Sequence, residues 1–217
     1  MATLAELRRE LVEDLQDASF REEWIDAQIN KCLQFCARLV KLPALETSGE
    51  LTTVTTGPVV DVPTAWNYSR GVYYAEVEDA PDILVLGSLS LLLRHYPNAQ
   101  TELETGDIEY VTIVNGQVFY YPIPDTAKIL KLKFYEQAEV LEDDDDEVVC
   151  IIDELQELII DPYVKWRAYR KVEDSSEGAT PNTKRYREEF FSLLPLLGEA
   201  FDQGQSYSNT DRTTGWV

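Results

Sequence analysis

The sequence predicts an α+β protein. Its parts are a helical bundle (an N-terminal αα-hairpin plus two late helices), an inserted small antiparallel β-module, and an extended C-terminal tail. Three observations carry this. Apolar residues recur at helical spacing near both ends of the chain. The middle is rich in β-branched and aromatic residues broken by glycine and proline. The closing GQSYSNTDRTTGWV has neither apolar period nor net charge. The implied boundaries are 1–43 for the αα-hairpin, 44–147 for the β-rich module with its hairpin at 109–122, 148–203 for the helices completing the bundle, and 204–217 for the tail.

The first helix opens at Thr3 with Glu6 three residues on, the spacing of a capping box. Leu4, Leu7, Leu11 and Leu15 then form one apolar stripe. Ser19 and Glu22 predict a second capping box, opening a helix with Trp24, Ile25, Ile29, Leu33, Cys36 and Val40 along one side and Pro43 as its stop. LTTVTT, PVVDVPTAW and GVYYAEVE read as short strands and turns, and SLSLLLRHY as a short helix capped by Ser88 and stopped by Pro97.

The segment EYVTIVNGQVFYYPIP is the clearest local signal. Asn115-Gly116 between two β-prone runs predicts a type I′ hairpin, which sets Ile113 opposite Val118 and Val111 opposite Tyr120. AKILKLKFYE alternates Leu130, Leu132 and Phe134 with lysines, predicting a third strand in one antiparallel sheet with the hairpin. Asp161 is expected to cap a helix with Pro162 at its first position, and Thr180-Pro181 to restart another that kinks at Pro195.

Composition narrows the function. With 40 acidic and 19 basic residues the net charge is −21, and such a field opposes tight binding to nucleic acid. The three cysteines are too few for a secreted disulfide scaffold, and the longest apolar run, ILVLGSLSLLL, is too short to span a bilayer. A reducing cytoplasm is the expected site of synthesis.

Chemistry is hard to find. The single histidine, His95, needs a nucleophile and an orienting carboxylate to act as a base, and reads more simply as a ring at a helix end. Cys32 and Cys36 lie four apart on one helix face with no partner pair for a zinc site, so core packing is the plainer account. The run EDDDDE (142–147) is a candidate for a divalent cation and hence for a metal-dependent enzyme. It lacks the alternating spacing of a calcium loop, and a solvated acidic loop explains it as well. No phosphate loop, GxSxG or HExxH occurs. A binding module that stacks its aromatics on sugars is a further alternative. Within 165–187, Lys165, Arg167, Arg170, Lys171, Lys184, Arg185 and Arg187 meet only three acidic residues, which makes either a solvated helical surface or a contact for an acidic partner.

The series TLAELRREL…WIDAQIN, VDVPTAW, LGSLSLLLRHYPN, the long IEYVTIVNGQVFYYPIPDTAKILKLKFYEQAEVLEDDDDE block, paired helices and a loose tail resembles the head-to-tail adaptor (head completion, or connector) proteins of tailed bacteriophages. The chain departs from the family pattern at Ile108 and in CIIDE, where prolines are expected. The resemblance implies a non-enzymatic virion protein without cofactors or metals, made in the bacterial host cytoplasm. It implies a twelvefold ring that binds the portal above and a tail, stopper or nozzle protein below, with duplex DNA passing through its channel. On that reading Tyr207, Arg212, Trp216 and Val217 of the tail would bind the portal. The seven basic residues would contact a neighbouring subunit, and Asp143, Asp144, Asp145 and Asp146 would face the channel. Tyr110, Phe119 and Tyr121 of the hairpin would meet a neighbour or the tail.

Overall fold

The computed structural model describes residues 1–15, 20–63, 66, 68–77, 83–86, 88–99, 104–173 and 181–202. Its contacts divide into two compact units: Met1–Ile29 together with the chain from Asp144 onward, and Asn30–Asp143.

The first unit is helical. Helix α1 (Leu4–Leu15) begins with the expected capping box: the Glu6 N–H donates to Thr3 Oγ1 at 3.3 Å and the Thr3 N–H to Glu6 Oε2 at 3.0 Å. Ser19, the expected second cap, lies outside the described residues. Helix α2 (Glu22–Leu39) supplies its opening turns to this unit. Further along the chain, α4 (Asp153–Glu173) is one continuous helix through Pro162, not two pieces meeting there. Ile159, Ile160, Tyr163 and Val164 around the proline are all buried, and burying four such side chains outweighs the roughly 3 kcal/mol of an internal proline. Asp161 is consequently mid-helix and pairs with Lys165 one turn on, at 2.8 Å, so it does not cap.

Pro181 does open α5 (Pro181–Asp202), and the Glu173 carboxylate accepts from the Asn182 and Thr183 N–H groups at 3.2 and 3.0 Å, supplying the cap from the end of α4. Phe190 sits edge-on to Tyr163 at 5.1 Å and Tyr186 stacks on Tyr169 at 5.4 Å, so aromatic rings form the α4–α5 seam.

The second unit holds the remainder of α2, a 3₁₀ turn at Pro43–Leu45, seven strands and a short helix among its described residues. β1 (Glu46–Thr52), β7 (Ile129–Glu136) and β3 (Tyr68–Val77) make an antiparallel sheet in the order β1-β7-β3. β2 (Val59–Asp61), β6 (Gln117–Tyr121), β5 (Tyr110–Val114) and β4 (Leu84–Val85) make the other, in the order β2-β6-β5-β4. The hairpin has the register read from its turn, Ile113 opposite Val118 and Val111 opposite Tyr120, with Asn115 and Gly116 at φ +53 and +77.

The expected single sheet of hairpin plus β7 does not form. β7 instead sits at the centre of the other sheet, and Leu130 and Leu132 pack against Val111, Val118 and Tyr120 in a core that both sheets share. Pro122 and Pro124 explain the break, because neither has an N–H to extend the β6 ladder. The sheets are not wholly antiparallel either, since β4 pairs with β5 in parallel. Trp66 lies directly over Gly49 and stacks on Phe134 at 4.9 Å; any Cβ at position 49 would collide with its ring.

Helix α3 (Leu89–His95) covers the far side of the hairpin through Leu92 and Tyr121, with Tyr96 against Tyr121 at 4.6 Å. Ser88 stands at its N-cap without a capping side-chain bond. No helix among the described residues is long and apolar enough to cross a membrane.

Candidate interaction surface

The seven cations predicted on the late helices fall into two kinds. Lys165 is spent inside the unit: its ammonium donates to Asp14 at 2.6 Å and Asp161 at 2.8 Å. Burial pulls its pKa down, yet the bonds to Asp14 and Asp161 outweigh that, and it ends above the ordinary lysine value. Lys184 makes only an exposed i,i+4 pair with Glu188 at 3.8 Å. Four of the others sit on rings. Arg167 lies 5.6 Å from the Trp166 centroid, Arg185 5.3 Å from Tyr186 and Arg187 5.8 Å from Phe191. Lys171 lies over both Phe20 and Trp24, at 5.7 and 5.6 Å. Arg170 is exposed on the same helix. Beside these rings, Thr183, Lys184, Arg187, Glu188 and Phe191 line a surface groove of about 500 Å³, and Phe191 is 40% exposed.

Cations held on aromatic faces keep their charge while losing rotamer freedom, so a partner anion meets a preset array. The chemistry available here is recognition of carboxylates or other anions.

The acidic run has a structural use that its composition does not reveal. The Asp146 and Asp144 carbonyls accept from the Leu4 and Ala5 N–H groups at 2.9 and 3.1 Å, which satisfies the open end of α1. The Asp144 carboxylate also accepts from Arg8 at 2.8 Å. Arg8 in turn grips Asp26 with two bonds at 2.7 and 2.9 Å; these first, and then Asp144, hold the guanidinium above its ordinary pKa. Asp143 and Asp145 are exposed and Asp146 is half-buried. Among the described residues no three histidine, cysteine or carboxylate side chains gather in a way that could hold a metal ion. Cys32 and Cys36 are fully buried, and His95 stacks on Tyr110 at 5.2 Å at the end of α3.

Of the hairpin residues, Tyr121 is only 2% exposed, buried beneath α3, and so has no free face. Tyr110 is half-buried between His95 and Tyr96, and Phe119 is half-buried opposite Val59. Tyr207, Arg212, Trp216 and Val217 lie outside the described residues.

One feature escaped the sequence reading. α1 packs on α4, which brings Glu10 into the field of Glu157. Partial burial first, and then Glu157, Glu6 and Asp14, push the Glu10 carboxyl above its ordinary pKa, with Arg9 the opposing cation. The helical spacing of Glu6, Glu10 and Asp14 was visible, but the packing that adds Glu157 was not.

No curated protein matches the chain. A family model described as SU10 adaptor protein matches residues 2–214, a span that takes in both compact units and every described element. The chain therefore belongs to the SU10 adaptor protein family, in keeping with its resemblance to phage head-to-tail adaptors.

Proposed function

We propose that this protein is a structural virion component at the head–tail junction: an adaptor that assembles as a twelvefold ring, binds the portal on one side and a tail component on the other, and lets duplex DNA pass. The family match over residues 2–214 carries this reading. Two features support it. The late helices offer a fixed cationic surface suited to protein contacts. The net charge of −21 suits a channel that must not grip phosphates, to which Asp143 and Asp145 would contribute. The tail residues Tyr207, Arg212, Trp216 and Val217 would order on the portal, and Phe119 would face the tail side. The role needs no cofactor and no catalysis. The metal-enzyme alternative gains nothing from the geometry, because Asp144 is engaged by Arg8 and the backbone of the run is engaged by α1.

The test is capture by the portal protein encoded in the same genome, with the full chain and with a chain ending at Gln203. Saturable binding lost on truncation establishes the adaptor role and puts the contact in the tail. Binding that survives keeps the role and moves the contact to the helices. If neither form binds, the assignment is wrong.

A further inference from the structure

Arg167, Lys171, Arg185 and Arg187 present an anomaly. In a chain with 40 acidic residues, none of the four has a carboxylate partner among the described residues, and each lies on an aromatic ring instead. Cations on α4 and α5 that lack carboxylate partners among the described residues are open to a partner that supplies the anions. The same unit carries the opposite imbalance elsewhere. Glu10 and Glu157 crowd each other where α1 meets the first half of α4, with Glu6, Glu13 and Glu154 on the same two segments. Lys171 lies near the far end of α4 from Glu157, and fourteen residues of helix separate them by about 20 Å.

We propose that copies of this chain associate head to tail, the cation-on-aromatic surface of α4 and α5 in one copy receiving the acidic α1–α4 face of the next. The proposal rests on the adaptor reading and names the contact between its subunits. The ring of the adaptor reading selects a heterologous contact over a two-fold one. A two-fold axis through either patch would set like charge on like, and an axis between them would pair the patches twice and stop at a dimer, whereas head-to-tail pairing repeats until a ring closes. Duplex DNA is the competing occupant for four cations, but the field of a −21 chain opposes it.

A complementation experiment decides the matter. One variant carries Arg185→Gln and Arg187→Gln, the other Glu10→Gln and Glu157→Gln, neutral changes that create no new charge pair between the two; all four side chains are exposed, and circular dichroism verifies that both variants fold. Sedimentation velocity is run at tens of micromolar in about 0.1 M salt. The wild type should form oligomers. Each variant alone should associate at least about tenfold more weakly. Mixed, they should give one-to-one dimers and nothing larger, because each pair retains a single intact junction.

Wild-type-like assembly by either folded variant overturns the proposal, as does a mixture that stays monomeric or a wild type that never associates. So does a cation variant that keeps its assembly and loses only duplex DNA binding. Portal capture by the wild type is scored in parallel. If capture persists while the interface prediction fails, only the interface is wrong; if capture is absent while the mixture dimerises, the interface stands and the adaptor reading falls.

Discussion

Replacing Asp26 with asparagine should destabilise the protein markedly more than the same change at Asp144, although both carboxylates bond Arg8. Asp26 takes a two-pronged grip, from Nε at 2.7 Å and Nη2 at 2.9 Å, and its side chain is 22% exposed against 16% for Arg8. Losing one charge-assisted bond of such a fork and leaving the guanidinium half-neutralised costs about 2 kcal/mol. Asp144 makes one bond at 2.8 Å, but its side chain is 74% exposed, so water screens the pair and the change costs less than about 1 kcal/mol. Its backbone carbonyl, which receives the Ala5 N–H at 3.1 Å, survives the substitution. Urea unfolding followed by circular dichroism resolves a difference of this size. Equal costs, or the reverse order, would refute the reasoning. They would mean that the acidic run holds the helical unit together through its side chains and is not free to serve a channel.

Three other outcomes follow from single contacts. Tyr120→Phe removes a buried hydroxyl that accepts from the Val54 N–H at 2.7 Å and donates toward the Val54 or Gly57 carbonyl at 3.0 and 3.1 Å; the loss should be about 1–3 kcal/mol in urea unfolding. Phe119→Asp should leave portal capture intact and abolish joining to the tail component, scored as heads without tails by electron microscopy. Glu10→Gln should stabilise the protein by a few tenths of a kcal/mol at neutral pH, since the raised pKa means that the folded state disfavours the charged form. That advantage should shrink as the pH falls through the raised pKa and vanish below 4.5, the ordinary glutamate value, where the wild-type carboxyl is protonated folded or unfolded. An advantage that persists into acid would locate its cause outside titration.

What the sequence made legible was local. The Thr3–Glu6 capping box and the Asn115-Gly116 turn are fixed by residues a few positions apart, and both are found as read. What it hid depended on distant partners. The alternation in β7 revealed a strand with one wet face, but nothing local says that it pairs with β1 and β3 instead of the hairpin it follows. Pro162 carries a local stop signal that the buried side chains on either side override. The site divides in the same way. Seven cations on two helices were countable in the sequence, yet only the packing separates Lys165, consumed by Asp14 and Asp161, from those laid on rings. The acidic run drew attention by its composition, while the crowded Glu10–Glu157 pair, made by two helices that meet in space, did not.

The two charge scales in this molecule pull association in opposite directions, and ionic strength separates them. Each copy carries −21, so whole copies repel over a Debye length, about 30 Å at 0.01 M salt and about 10 Å at 0.1 M. The attraction between cation surface and acidic face acts at contact, where partial burial shields it from salt far better than the long-range field. Screening therefore removes repulsion first and attraction later. Self-association should rise as salt increases from 0.01 M, pass through a maximum near roughly physiological strength, and decline toward 1 M, where the Debye length is about 3 Å. Sedimentation across that series gives the curve directly. A steady decline from the lowest salt would mean that the patches outweigh the net charge at every range; a steady rise to 1 M would mean an apolar contact, with exposed groups such as Phe191 in place of the charges. Only the humped curve fits a junction in which the cations on α4 and α5 meet carboxylates while the rest of each copy repels its neighbour.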